Sequence, residues 1–330
     1  MLGRLLQSLF GRNKTAPATA VAAGRLDAPA ADAQKVLRLD DVNCLVRARH
    51  GWFIANRYDQ YLGRALIRYG EYGEIEQAFL CSLLAPGDCA IEVGANIGAH
   101  SVGLAKHLGA EGRLVAVEAQ PAIFRVLSAN VVLNALTNVV LHQCGCADRH
   151  GTMVAPEIDY TAAQLHNSGG VSLLAAGAGA VVPVLPLDEL AGAAVAERRL
   201  RLIKIDVEGM EREVLQGAQN LIARHRPLLY VENDRVGKSR QLIEALKALD
   251  YRLWWHATPL FNPRNHFGVT ENDYPHIVSM NMVCQPQERG EGLPPSDCSL
   301  REIVDVDVHP FVRAPDAPRP SDQGEPRTSG

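Results

Sequence analysis

The sequence has no apolar run approaching the ~18 residues of a membrane-spanning helix. It has no Cys-x-x-Cys pair, which removes the usual framework of a structural zinc site. It has no excess of positive charge, with 33 Lys and Arg against 37 Asp and Glu and a net charge of −4. Nucleic-acid binding usually shows a basic face, so no nucleic-acid partner is expected. The seven cysteines (44, 81, 89, 144, 146, 284 and 298) are odd in number and irregularly spaced. They suit buried free thiols in a reducing compartment better than a disulfide framework, and a cytoplasmic location is expected. One further absence is local. Asn96 stands where a dinucleotide fingerprint has the middle glycine that lets backbone approach a pyrophosphate, which argues against NAD.

What is present centres on Ala90–His100. An apolar run with Glu92 near its end enters a turn containing Gly94 and Gly98, and a helical pattern follows through Val102, Leu104, Ala105 and Leu108. Strand, glycine turn and helix N-terminus make a site where backbone N–H groups face an anionic ligand. A second strand pattern, Leu114–Val117, ends in Glu118, placed to accept both hydroxyls of a ribose. A loop for a small carboxylate together with an acid for a ribose fits S-adenosylmethionine. The alternative is an ordinary strand-to-helix turn with surface acids.

At 330 residues and 47% apolar content, the chain can bury one large α/β core. Leu2, Leu5, Leu6, Leu9 and Phe10 fall at helical spacing beside Arg4, Arg12 and Lys14. This short stretch reads as a frayed terminus or as a weak membrane or partner contact, and not as a signal peptide. Residues 1–36 are expected to be a flexible lead-in, 37–286 the folded domain, and 287–330 a proline-rich, largely disordered tail. The domain opens with a hairpin (44–48 and 51–54), a helix around Tyr61–Ile67 and a helix from Glu74 to Leu84. Strands at 89–93, 113–117, 138–142, 201–205 and 227–232 then alternate with helices at 99–108, 121–134, 209–224 and 237–249. Segment 147–199 is expected to elaborate the sheet edge. Strands six and seven fall at Tyr251–His256 and 277–284, the last antiparallel to the rest.

The chain resembles the FkbM-type family of S-adenosylmethionine-dependent methyltransferases. The resemblance is carried by Tyr69-Gly70-Glu71-Tyr72, Glu92-Val93-Gly94-Ala95-Asn96-Ile97-Gly98, Asn130-x-x-x-Asn134, Pro186–Leu190 and Leu202–Gly209. It spans roughly residues 40–285, and it departs at Glu92, where the family usually has Asp. It implies an α/β fold with a seven-stranded, Rossmann-like methyltransferase sheet, and O-methylation of sugar or natural-product hydroxyls. The stretch Leu260–Asn265, with Ser279–Met282, is similar to members associated with surface polysaccharide synthesis.

On this reading Glu92 meets the methionine amine, the backbone of Gly94, Asn96 and Gly98 meets its carboxylate, and Glu118 takes the ribose. Gly145, Cys146 and Asp148 edge the adenine, Tyr72 and Glu76 close the front, and His100 sits at the helix start as ligand contact or cap. Asp206, Glu232 and Asn233 are expected to converge, because neighbouring strands of such a sheet share a crevice at their carboxyl ends. They would hold Mg²⁺ against the acceptor hydroxyl, as in catechol-type enzymes, or bind sugar hydroxyls directly; Asp206 or Glu208 as a helix cap is a third account. Lys204 is expected to pair with Asp206. His166, His256, His266 and His276 are candidates for a general base, with His256 taken into the catalytic set. Trp254 or Trp255 is a candidate sugar-stacking surface, and 258–276 a candidate acceptor lid. The acceptor is expected to be a glycan or other small molecule. Rival readings are a polyketide or peptide hydroxyl as acceptor, and a cofactor-binding scaffold without turnover. The lack of an Asn/Asp-Pro-Pro-Tyr run after strand four disfavours amine or base methylation.

Overall fold

The computed structural model describes residues 35–195, 198–290 and 292–311. The amphipathic stretch at Leu2–Phe10, the lead-in through residue 34 and the segment 314–330 lie outside the described residues. Among the described residues no helix is long and apolar enough to cross a membrane.

Strands β1 (Val36–Arg38), β2 (Asn43–Ala48) and β3 (Gly51–Asn56) form a small antiparallel sheet. Helices α1 (Leu62–Tyr69) and α2 (Glu74–Ser82) follow. The alternating region then runs β4 (Cys89–Val93), α3 (Ala99–Leu108), β5 (Arg113–Val117), α4 (Pro121–Leu133) and β6 (Val139–His142). Proline at the first helical position of α4 fits its missing N–H. Segment 147–199 does not extend the edge of the large sheet. Together with β7 (Gly145–Cys146), its strands β8 (Gly151–Pro156) and β9 (Gly179–Leu185) make a separate three-stranded sheet, and α5 (Leu187–Val195) leads back.

After β10 (Leu200–Ile205), the single helix expected over 209–224 is two helices, α6 (Glu211–Gln216) and α7 (Gln219–His225). A distant segment crosses at the break. A β-carbon on Gly217 would stand 2.0 Å from the Ala147 carbonyl, so the backbones cross there. Asp188 then caps the second helix, accepting from the amides of Asn220 (3.0 Å) and Leu221 (2.8 Å). The chain finishes with β11 (Leu228–Glu232), α8 (Val236–Lys247), β12 (Tyr251–Pro259), β13 (Val278–Pro286) and β14 (Leu300–Glu302).

The large sheet has the order β14-β12-β13-β11-β10-β4-β5-β6. Strands β6, β5, β4, β10 and β11 pair in parallel, and β13 enters antiparallel between β11 and β12. This is the expected mostly parallel sheet with an antiparallel last strand, plus a short edge strand at 300–302. All five residues of β4 are buried, as a central strand covered on both faces requires. The apolar clusters on its two faces place the carboxyl ends of β4, β5, β10 and β11 side by side at one rim.

Candidate active site at the strand ends

The turn after β4 is built against its neighbours. Gly94 has φ +87°, and a β-carbon there would lie 1.7 Å from the carbonyl oxygen of Asp206, so only glycine fits. The amides of Gly94 and Ala95 both donate to the Val117 carbonyl at 2.9 Å, which ties the turn to the end of β5. Asn96 is left-handed (φ 49°), and its amide donates to Oε2 of Glu118 at 2.9 Å. The other oxygen of Glu118 accepts from the Gln120 amide at 2.8 Å. The Ala119 amide also favours its charged form, so three backbone donors face this carboxylate.

One cavity of about 330 Å³ opens at this rim. Glu92, Gly94, Asn96, His100, Glu118, Gly145 and Cys146 line it together with Tyr72, Asp206 and Glu232. The sequence therefore brought most of its candidates to one place. Asp148 is exposed, Glu76 is buried and Gly98 caps the start of α3 against Leu127, and none of the three is among the lining residues.

The carboxyls here are strongly perturbed. Burial pushes Glu92 up to about 7, against the pull of Lys204 and of a hydrogen bond from Ser101. Burial likewise raises Glu118 to about 7, although backbone amides favour its charged form. Glu76 is raised by burial to about 7 and lies 3.6 Å from Nε2 of His100. His100 itself is driven down to about 3 by burial and by Lys204, so the imidazole there is neutral, with Nδ1 bonded to Gln77 at 2.8 Å.

The other end of the cavity is a carboxyl cluster. Oxygens of Asp206, Glu208 and Glu232 lie within 4.8 Å of one another. Lys204, 1% exposed, donates from Nζ to Asp206 at 2.9 Å and lies 3.9 Å from Glu92. Burial works to raise Asp206, but the Lys204 charge holds it below the usual carboxylate range. Glu232 is pushed well up by burial and by the charge of Asp206 beside it, so the pair divides into an ionised and a protonated member. Glu208 is raised to about 7 by burial and by Asp206, with Arg235 opposing through an ion pair.

Two expected catalytic residues point elsewhere. Asn233 follows Glu232 at the end of β11, where successive side chains face opposite ways. It is buried against β13, with Nδ2 on the Met282 sulfur at 3.2 Å and its carbonyl accepting from His309. Glu208 takes its place in the cluster, aimed there by a left-handed backbone (φ 57°). His256 is fully buried, held by Tyr230 at 2.9 Å and Ser296 at 2.8 Å, and burial lowers it to about 4. None of His166, His256, His266 and His276 lines the cavity, nor does either of Trp254 and Trp255.

The 258–276 segment supplies Leu260 to the lining but is a fixed wall. Tyr274 is buried against Tyr69, and Phe267 bonds through its amide to the Tyr69 carbonyl. Buried Glu71 accepts from Arg49 (2.7 Å), Asn262 (2.8 Å) and the His266 amide (2.7 Å), joining this wall to the turn between β2 and β3. Sequence reasoning missed the second wall, where Asn167, Gly169, Gly170 and Val171 line the cavity. That strap is pinned by Ser168 on Asp59 and by Gln120, which donates to the Ser168 carbonyl and accepts from Tyr160. Its signal was the small, polar run Asn167-Ser168-Gly169-Gly170 within a long connection.

Residues 92–253 match the family described as the methyltransferase FkbM domain. Among solved structures, the chain is similar to the methyltransferase FkbM from Methylobacillus flagellatus KT at 16% identity and a TM-score of 0.39, over 60% of this chain and 43% of that one. It thus spans less than half of that protein. A precorrin-6y C5,15-methyltransferase from Geobacter metallireducens GS-15 matches at 14% identity and TM-score 0.42, over 64% of this chain and 86% of the other. An O-methyltransferase from Bacillus cereus in complex with SAH matches at 15% and 0.38, over 65% and 80%. Comparison with curated proteins finds no match.

Proposed function

We propose, from the premise that this chain belongs to the FkbM methyltransferase family through residues 92–253, that it transfers a methyl group from S-adenosylmethionine to a hydroxyl of a sugar or glycan. The observation that carries this reading is a single cavity with Glu92, the 94–98 turn and Glu118 at one end and Asp206 with Glu232 at the other. The residues fit the cofactor by charge. A sulfonium and an ammonium against one carboxylate make a net cation, and the lining holds six acids (Glu92, Glu118, Asp206, Glu208, Glu232, Asp234) against Lys204.

When bound, the cofactor supplies an electrophilic methyl group whose loss leaves a neutral thioether. Glu92 would hold the ammonium and Glu118 the ribose hydroxyls, while the 94–98 turn, whose amides all donate within the protein, would border the carboxylate by its shape. Gly145 and Cys146 would border the adenine. Asp206, kept ionised by Lys204, accepts the acceptor's hydroxyl proton as that oxygen forms its bond to carbon. Protonated Glu232 orients the same hydroxyl. Positioning of this kind supplies much of the rate in an in-line displacement.

A second reading places Mg²⁺ on Asp206, Glu232 and Glu208, and the 4.8 Å clustering of their oxygens favours it. Lys204 and Arg235 already supply positive charge there, so the first reading needs no metal. The test is calorimetric titration of S-adenosylmethionine into the wild type and Glu118→Ala, followed by a radiolabel transfer assay with glycan acceptors, with and without EDTA. Saturable binding, weakened in the variant, and label in the acceptor are expected. Loss of transfer in EDTA, restored by Mg²⁺, selects the metal. Binding without transfer to any acceptor selects a scaffold. Label in a polyketide or peptide but no sugar moves the acceptor class. No binding by folded protein overturns the reading.

A further inference from the structure

We propose that the acceptor is an uncharged glycoside carrying an apolar aglycone, and not a phosphorylated or nucleotide-activated sugar. This rests on the acceptor end of the cavity assigned above and names the class of molecule that enters it.

The first observation concerns charge. Among the described residues Lys204 is the one Lys or Arg lining the cavity, and its ammonium is buried and bonded to Asp206. Arg235, next to the rim, is held by Glu208 and Asp234. A phosphate group is recognised by charge-assisted donors, above all free arginine and lysine. Here it would meet Asp206, Glu208 and Asp234, to which Lys204 and Arg235 are already bonded, and like charges at such separations repel strongly away from bulk water. A neutral sugar meets the opposite situation. Its hydroxyls carry no charge to be repelled and can hydrogen-bond the carboxyl oxygens of Asp206 and Glu232 that line the cavity.

The second observation concerns the rim. Tyr61 and Leu62 at the start of α1 lie near Leu260, Ile277 and Val278, because Tyr274 of the same wall bonds to the Tyr61 carbonyl at 3.2 Å. Leu260 and Ile277 are themselves joined by a backbone hydrogen bond of 3.1 Å. Ile277 and Val278 are 37% and 39% exposed, although both are large and apolar. Exposed apolar side chains beside a polar cavity mark the place where an apolar part of a ligand is covered. An aglycone leaving the sugar end of the cavity passes over this rim.

The two observations also order the chemistry. A sugar loses its nucleotide when a glycosyl transfer joins it to an aglycone. Methyl transfer at this site therefore follows a glycosyl transfer and does not precede it.

The test uses the full chain saturated with S-adenosylhomocysteine. Glucose, galactose, mannose and rhamnose are each titrated as the octyl glycoside (below its micellar concentration), the methyl glycoside, the 1-phosphate and the nucleoside diphosphate. For at least one sugar, the octyl form should bind at least tenfold more tightly than the methyl form, and both phosphorylated forms at least tenfold more weakly. Val278→Asp, at an exposed position, should weaken the octyl glycoside at least tenfold. The proposal is overturned if no octyl glycoside binds, if a phosphorylated form matches its neutral counterpart, or if folded Val278→Asp keeps full octyl affinity. Failure of the thioether itself to bind instead removes the cofactor reading. The glycoside series, repeated on the free protein, is then judged by the same criteria.

Discussion

The α-carbon of Gly94 faces the carbonyl oxygen of Asp206 so closely that a β-carbon would stand 1.7 Å from it. The turn after β4 and the strand end that carries Asp206 are thus in direct backbone contact. Gly94→Ala forces these two strand ends apart and adds the strain of a left-handed alanine. A loss of stability of about 2 kcal/mol or more is expected, along with the calorimetric signal for S-adenosylmethionine. Cofactor affinity within threefold of wild type would show that the turn is no cradle.

Glu118 holds the turn through two amides and, on the proposed reading, also takes the ribose. Glu118→Ala leaves the Asn96 and Gln120 amides without their acceptor, at a cost of about 1–3 kcal/mol in chemical denaturation. Glu118→Gln keeps one carbonyl acceptor and should recover part of that stability. Both variants should bind cofactor at least tenfold more weakly. Full affinity in folded Glu118→Gln would take the ribose away from this residue.

The raised carboxyls predict opposite pH trends for the empty and filled protein. Burial holds Glu92 and Glu118 near 7 in the fold, against 4.5 in a free chain. A carboxyl raised on folding stabilises fully below its unfolded value, and that contribution is lost as pH rises through the folded value. The thermal midpoint of the empty protein should therefore fall between about pH 5 and about pH 8. Affinity for the cationic cofactor should rise over the same interval, as the carboxylates ionise, and Glu92→Gln should flatten both curves. Melting and titration across that range check the pair of trends.

On the proposed mechanism Asp206→Asn removes the proton acceptor while keeping a side-chain oxygen for Lys204. Turnover should fall by about 10²–10⁴, with cofactor affinity changed by less than about fivefold. Single-turnover kinetics at saturating cofactor measure the first quantity. A variant that keeps a tenth of wild-type turnover would assign the proton to another group.

His256 is a packing residue, and its replacement should say so. His256→Phe breaks the bonds to Tyr230 and Ser296 in a buried setting, costing about 1–3 kcal/mol. Turnover per folded molecule should stay within twofold. A drop of a hundredfold in folded protein would restore histidine to the chemistry.

The strand–turn–helix pattern and the acids at strand ends were legible in the sequence because each depends on neighbours close in the chain. Glu92 and Glu118 close their apolar runs, and the glycines between them mark the turn. Asn233 was misread for a reason also present in the sequence. Side chains alternate along a strand, so Glu232 and Asp234 share a side that Asn233 does not. Glu208 could not be placed this way, since its left-handed backbone, not strand parity, turns it toward Asp206. The break between α6 and α7 depends on Ala147, a residue 70 positions before Gly217. The burial of His256 depends on Ser296, which lies in a stretch that looked like a tail. Contacts of that separation leave no local trace.

Glu71 joins Arg49, Asn262 and His266, and so ties a hairpin that adds no residue to the cavity to the wall that does. The two segments are coupled through this one carboxylate. Grafting the 258–276 wall from a relative with another acceptor would leave Glu71 facing foreign partners unless the hairpin travelled with it. A chimera cut at either segment alone should therefore be less stable than one that carries both.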